Sequence, residues 1–139
     1  MKNILKLSLF IFFISNSVFA KNLYMQDGIN LFKVKKFQEA KFKFEQEIVL
    51  NPKSETSYLY LAKIFKNLDK KDLQEKNLNT VILLNPKNEE AVYNLAKLKL
   101  ENSDYDKSRK LNEKLKIICN RFCDESKKLK IEIENLSQK

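Results

Sequence analysis

From Tyr24 onward the apolar residues recur at spacings of three and four, as in Tyr24, Gly28 and Leu31 and then Phe37, Ala40, Phe44 and Ile48. That is the spacing of helices with one buried face, because residues three and four apart lie on the same side of a 3.6-residue turn. The two stripes are separated near Lys35 and Lys36, so the pattern predicts two helices and a short turn. The unit closes at Leu50-Asn51-Pro52-Lys53, where proline lacks an N–H and biases the residue before it away from the helical region.

The same four letters return as Leu84-Asn85-Pro86-Lys87, an offset of 34. At that offset Gly28 falls on Ala62 and Ala96, three small residues in register. Tyr24 falls on Tyr58 and Val92, Leu31 on Phe65, and Phe44 on Leu78. Three helical hairpins are predicted over 21–54, 55–88 and 89–121. A small residue on each first helix lets the second approach closely, and no single hairpin can bury its face alone. Past them, Phe122, Ser126, Leu129, Ile133 and Leu136 form one further stripe, so 122–139 reads as a capping helix with a polar outer face. At Lys130, where the small packing residue would stand, there is a long charged one.

An aromatic, a small residue four positions on, then Ala-x3-Phe and a closing Pro resembles the tetratricopeptide repeat (TPR). Residues 24–52 (YMQDGINLFKVKKFQEAKFKFEQEIVLNP) carry the match best, and 89–115 nearly as well. The departures are Lys71 and Gln74 in the second unit, Asn112 and Asn120 in the third. The resemblance implies an all-α array of hairpins wound as a right-handed superhelix, with first helices lining a concave groove that takes a peptide or partner helix. Residues on those helices that do not pack on the second helix are the candidate groove: Met25, Ile29 and Phe32, then Leu59, Lys63 and Lys66, then Tyr93, Lys97 and Leu100. An apolar floor followed by lysines suits a segment that is partly apolar and partly acidic. The family's Lys/Asn/Arg carboxylate clamp is not reproduced. An apolar patch of this kind also suits a second copy of the chain, so homo-oligomerisation is the competing expectation.

The N-terminus changes the setting. Lys2 and Lys6, the apolar Leu7–Ile14 and the small-x-small Val18-Phe19-Ala20 follow the order of a secretory signal peptide, 1–20, cleaved before Lys21. The apolar stretch is too short for a membrane anchor of about 20 residues. The chain is expected to be periplasmic or secreted, with no stable membrane insertion after cleavage. Of the formal net charge of +9, Lys2 and Lys6 account for two. Nearly all the basic residues are lysines, whereas nucleic-acid recognition favours arginine, so no nucleic-acid partner is expected.

Chemistry is sparse. The chain has no His and one Gly, which excludes imidazole catalysis and the glycine-rich phosphate loops. Neighbouring carboxylates, such as Glu89 and Glu90 or Glu132 and Glu134, diverge around a helix and read as solvated. No enzymatic activity and no cofactor or metal site is expected. Cys119 and Cys123, at the junction of the third hairpin and the cap, read first as a disulfide in an exported protein. Two free core thiols are the alternative. The C-x3-C pair also supports a second function, a small thiol-based metal or redox carrier. The first reading is a non-catalytic adaptor or scaffold of the bacterial cell envelope.

Overall fold

The computed structural model describes residues 23–137, so the leader expected at 1–20 lies outside them. Among the described residues there are seven helices and no strand: α1 (23–33), α2 (Phe37–Leu50), α3 (Glu55–Asn67), α4 (Lys71–Leu84), α5 (Glu89–Glu101), α6 (Tyr105–Ile118) and α7 (Cys123–Ser137). The first helices α3, α5 and α7 begin at 55, 89 and 123, so the spacing of 34 continues into the cap.

The turn inside each hairpin is built without glycine. Lys35, Asp69 and Ser103, again 34 apart, hold φ of 60°, 52° and 58°. Each is followed by an N–H that reaches back five residues, Lys36 to the Leu31 carbonyl at 3.0 Å, Lys70 to Phe65 at 2.9 Å and Asp104 to Lys99 at 2.8 Å. These bonds satisfy carbonyls that the helix end leaves open, and the left-handed residue is what allows the reversal.

By their internal contacts the described residues divide into two compact units, one ending at Tyr60 and the other beginning at Leu61, with the division inside α3. In the first, Gly28 is a close-approach position: a Cβ there would lie 2.9 Å from the ring of Phe44, which is fully buried. Tyr60 stacks on Phe44 with centroids 4.9 Å apart, and Phe32 meets Tyr60 edge-on at 5.1 Å. Burying such rings supplies much of the unit's stability, about 2 kcal/mol or more for each large side chain.

In the second unit the close approach is at Ala96. It is fully buried, and the Ser108 hydroxyl donates to its carbonyl at 2.9 Å, joining α6 to α5. Ala62, the matching position on α3, is also buried. Lys99 of α5, only 12% exposed, pairs with Glu75 of α4 at 2.5 Å. The cap closes the end of this unit. Leu129 and Ile133 of α7 form one core cluster with Ala96 and Leu100, and Tyr93, Tyr105 and Leu111 pack against it.

Candidate functional site

The exposed face of the first helices is where the sequence directs attention, and the two units offer different surfaces. In the first unit Met25, Ile29, Phe32 and Leu59 are all half-buried, so each keeps part of its apolar surface in water. Phe32 is held in place by Phe37, at 5.6 Å, as well as by Tyr60. Lys43 of α2 reaches α1 and lies 5.4 Å over the Tyr24 ring, 3.2 Å from the Asp27 carboxylate. This patch is anchored from behind by aromatic packing and keeps an apolar front.

In the second unit the lysines are mostly committed within the protein. Lys63 pairs with Glu90 of α5 at 2.6 Å, and Lys97 with Glu132 of α7 at 2.8 Å. Lys66 is exposed. Ala62, Lys63, Lys66, Gln74, Leu78 and Asn94 enclose a cavity of ≈ 10 Å³, room for about one water and no ligand. Tyr93 packs on Phe122 with centroids 5.5 Å apart. Leu100, expected on an open surface, is 4% exposed beneath α7 and belongs to the core. The reason is that α7 lies on α5 as a further first helix would, and so covers Tyr93, Lys97 and Leu100 together.

Glu89 and Glu90, expected to be solvated, both have partners within the protein. Glu89 Oε2 accepts the backbone N–H of Asn120 and of Arg121 at 2.8 Å and of Phe122 at 2.9 Å. Those bonds, that of Asn120 foremost, hold its carboxyl below the usual value. Among them sits the Cys119–Cys123 disulfide, with Cα atoms 5.2 Å apart. Asn112 and Ser126 complete this junction. The Asn112 amide donates to the Ser126 carbonyl at 3.0 Å and its oxygen accepts from the Ser126 hydroxyl at 2.9 Å, both groups buried. Asn112 departs from the repeat pattern because its partner is a polar group on the cap, and a polar residue at an apolar register position was the available signal. Glu89 repeats Glu55 at the 34-residue offset, and that recurrence was its signal.

Among the described residues no three His, Cys, Asp or Glu side chains come together to hold a metal ion, and no helix is long and apolar enough to cross a membrane. Joined as a disulfide, Cys119 and Cys123 present no thiolate to a metal.

The fold resembles many solved structures. The TPR2B domain of yeast Sti1, solved as a complex with pHsp70, superposes with a TM-score of 0.79 at 13% identity, covering 85% of this chain and 98% of that one. The chain has the tetratricopeptide-repeat fold. The first TPR domain of Spaghetti (RPAP3), bound to the HSP90 peptide SRMEEVD, aligns with a TM-score of 0.75 at 16% identity, over 84% of this chain and 93% of that one. The Yersinia enterocolitica type III secretion chaperone SycD, in complex with a peptide of the translocator YopD, gives 0.75 at 14% identity, over 85% and 94%. No protein-family model matches the sequence, and no curated protein matches it either. At these identities the likeness establishes the TPR architecture of the chain, and the repeat register read from 34-residue spacing accounts for it.

Proposed function

We propose that the chain is an exported, non-catalytic protein-interaction module of a bacterial cell envelope, an adaptor or scaffold that takes a peptide or helix of another protein against its first-helix faces. The observation that carries this reading is the fold, shared over more than four-fifths of the chain with domains solved holding peptides of other proteins. Export is supported by the order of Lys2, Lys6, the apolar stretch and Val18-Phe19-Ala20, and by the paired cysteines, which suit an oxidising compartment. The apolar front of Met25, Ile29, Phe32 and Leu59 favours a partner with apolar anchors, and exposed Lys66 favours an acidic residue in it.

Photocrosslinking in the native host tests the reading. A photoreactive residue at Ile29 and another at Lys66 are expected to give adducts with one partner protein, while the same residue at Lys110, exposed on α6, gives none. Adducts from Lys110 alone would move the binding face, and none from any position would overturn the proposal. The intact mass of protein released from the outer compartment is expected to start at Lys21; a membrane-bound form retaining 1–20 would overturn the export. Among charge reversals Lys66→Glu is the clean one, since Lys63→Glu and Lys97→Glu set carboxylates against Glu90 and Glu132.

A further inference from the structure

Between α6 and α7 runs a valley. Asn112, Glu113 and Lys116 of α6 face Cys123, Lys127 and Lys130 of α7 across a cavity of ≈ 420 Å³. It continues past Asn112, Glu113 and Lys130 into a smaller one of ≈ 50 Å³ that ends at Arg109 and Glu134. From Arg109 to Cys119 the valley follows α6 for about 15 Å, roughly three helical turns. Its wall is mainly apolar, made by lysine stems and the disulfide, as expected where charged heads reach out to water. Ile117 and Ile131, 83% and 59% exposed, stand one helical turn beyond Glu113 and Lys127.

The register explains what the valley is. Because α7 begins 34 residues after α5, it occupies the place of a fourth first helix, and the valley is where that hairpin's second helix would lie. In the third hairpin α6 fills the equivalent space, brought close by Ala96 and Ser108. At the matching position α7 has Lys130, so an incoming helix must meet an ammonium group instead of a small packing residue.

We propose that this valley is a docking site for an amphipathic helix of a partner protein, apolar on the inner face and acidic on its flanks. Charge selects that occupant. Of the side chains that line the valley, Arg109, Lys116, Lys127 and Lys130 are basic and Glu113 and Glu134 acidic, while Asp106 and Asp124 lie outside the lining. Their existing pairs, Arg109 with Asp106 at 3.1 Å, Lys127 with Asp124 at 3.0 Å and Lys130 with Glu134 at 3.7 Å, are solvent-exposed and worth little. A second copy meeting this face through a twofold axis would bring lysine against lysine, which disfavours self-association here. The site is separate from the first-helix faces of the proposed peptide-binding function.

A pair of fluorescent, stapled helical peptides tests the inference, each the length of α6, 14 residues, with leucines along one face and either glutamates or lysines flanking it. The glutamate peptide is expected to bind the purified protein at least roughly tenfold more tightly than the lysine peptide by anisotropy, from the charge complementarity. The double variant Lys116→Glu/Lys130→Glu, both positions exposed, should reverse that order with helical content unchanged. Lys33→Glu and Lys87→Glu, both exposed and outside either surface, should leave it intact, whereas a reversal caused by Lys66→Glu would place the peptide on the first-helix faces and overturn the proposal. The Asn112 side-chain amide resonance should shift on titration. Equal affinities, no binding, or a preference that survives the double variant would overturn the proposal. A dimer dissolved by the double variant would also overturn it, making the occupant a second copy.

Discussion

Two connections in the second unit do the same work by different means. Between α4 and α5, residues 85–88 make a set of bonds close in sequence. The Asn85 N–H donates to the Val81 carbonyl at 2.8 Å, the Asn85 side chain accepts from Lys87 N–H at 3.0 Å, and the Asn88 side chain caps α5 by accepting from Ala91 N–H at 2.8 Å. Between α6 and α7 the sequence offers no Asn-Pro, and the backbone N–H groups of 120–122 go to Glu89, more than thirty residues earlier. A disulfide and a buried Asn112–Ser126 pair hold the rest. The bonds that shape the first connection include several within its own segment, whereas those of the second reach back to α5 and α6. The cap is therefore the part of this unit that can be loosened without touching the hairpins.

Asn112→Ala is expected to break the comparison most strongly. It leaves the buried Ser126 hydroxyl without its acceptor, at a cost of roughly 1–3 kcal/mol, and should raise hydrogen exchange in α7 before α4 or α5. Asn112→Leu with Ser126→Ala, which removes both polar partners, should recover most of that loss. An unchanged melting temperature for Asn112→Ala would sink the latch.

Reduction of Cys119–Cys123 comes next. The closed loop is so short that the entropy model allows about 2 kcal/mol at most. Exchange should rise in Cys123–Ser137, and a uniform rise through α4 and α5 would contradict a local role.

Glu89 sharpens the comparison through pH. Its carboxyl is held below its ordinary value, chiefly by the Asn120 N–H. A group with a depressed folded pKa stabilises above its unfolded pKa, and that contribution disappears as pH falls through the folded one. The difference in stability between wild type and Glu89→Gln should thus be constant at neutral pH and shrink on acidification below about 4.5, the unfolded value. Asp104 and Asp124 are depressed too, by Lys107 and Lys127, so the comparison with the variant isolates Glu89. A difference that did not change with pH would mean the carboxylate charge is immaterial.

The smallest effect is expected at the other connection. Pro86→Ala leaves the local hydrogen bonds of Asn85 and Asn88 available and acts mainly by freeing the unfolded chain, about 0.4–1 kcal/mol. A larger shift in the urea midpoint would show that the proline does more here than restrict the unfolded chain.

What the amino-acid order determined alone is what repeats over short range. The helices follow from spacings of three and four, the breaks from Asn51-Pro52 and Asn85-Pro86, and the close approaches from Gly28, Ala62 and Ala96 in register, because these depend on neighbours within a turn or two. The left-handed turns at Lys35, Asp69 and Ser103 share that period, though no glycine announced them. Tertiary structure decided which charges are spoken for. Lys63 faces Glu90, Lys97 faces Glu132 and Lys99 faces Glu75, pairings 24 to 35 residues apart in the chain. Periodicity says which face of a helix a residue occupies, but not which helix will lie against it. For that reason Leu100 read as open surface and became core, and Glu89 read as solvated and became the anchor of the cap.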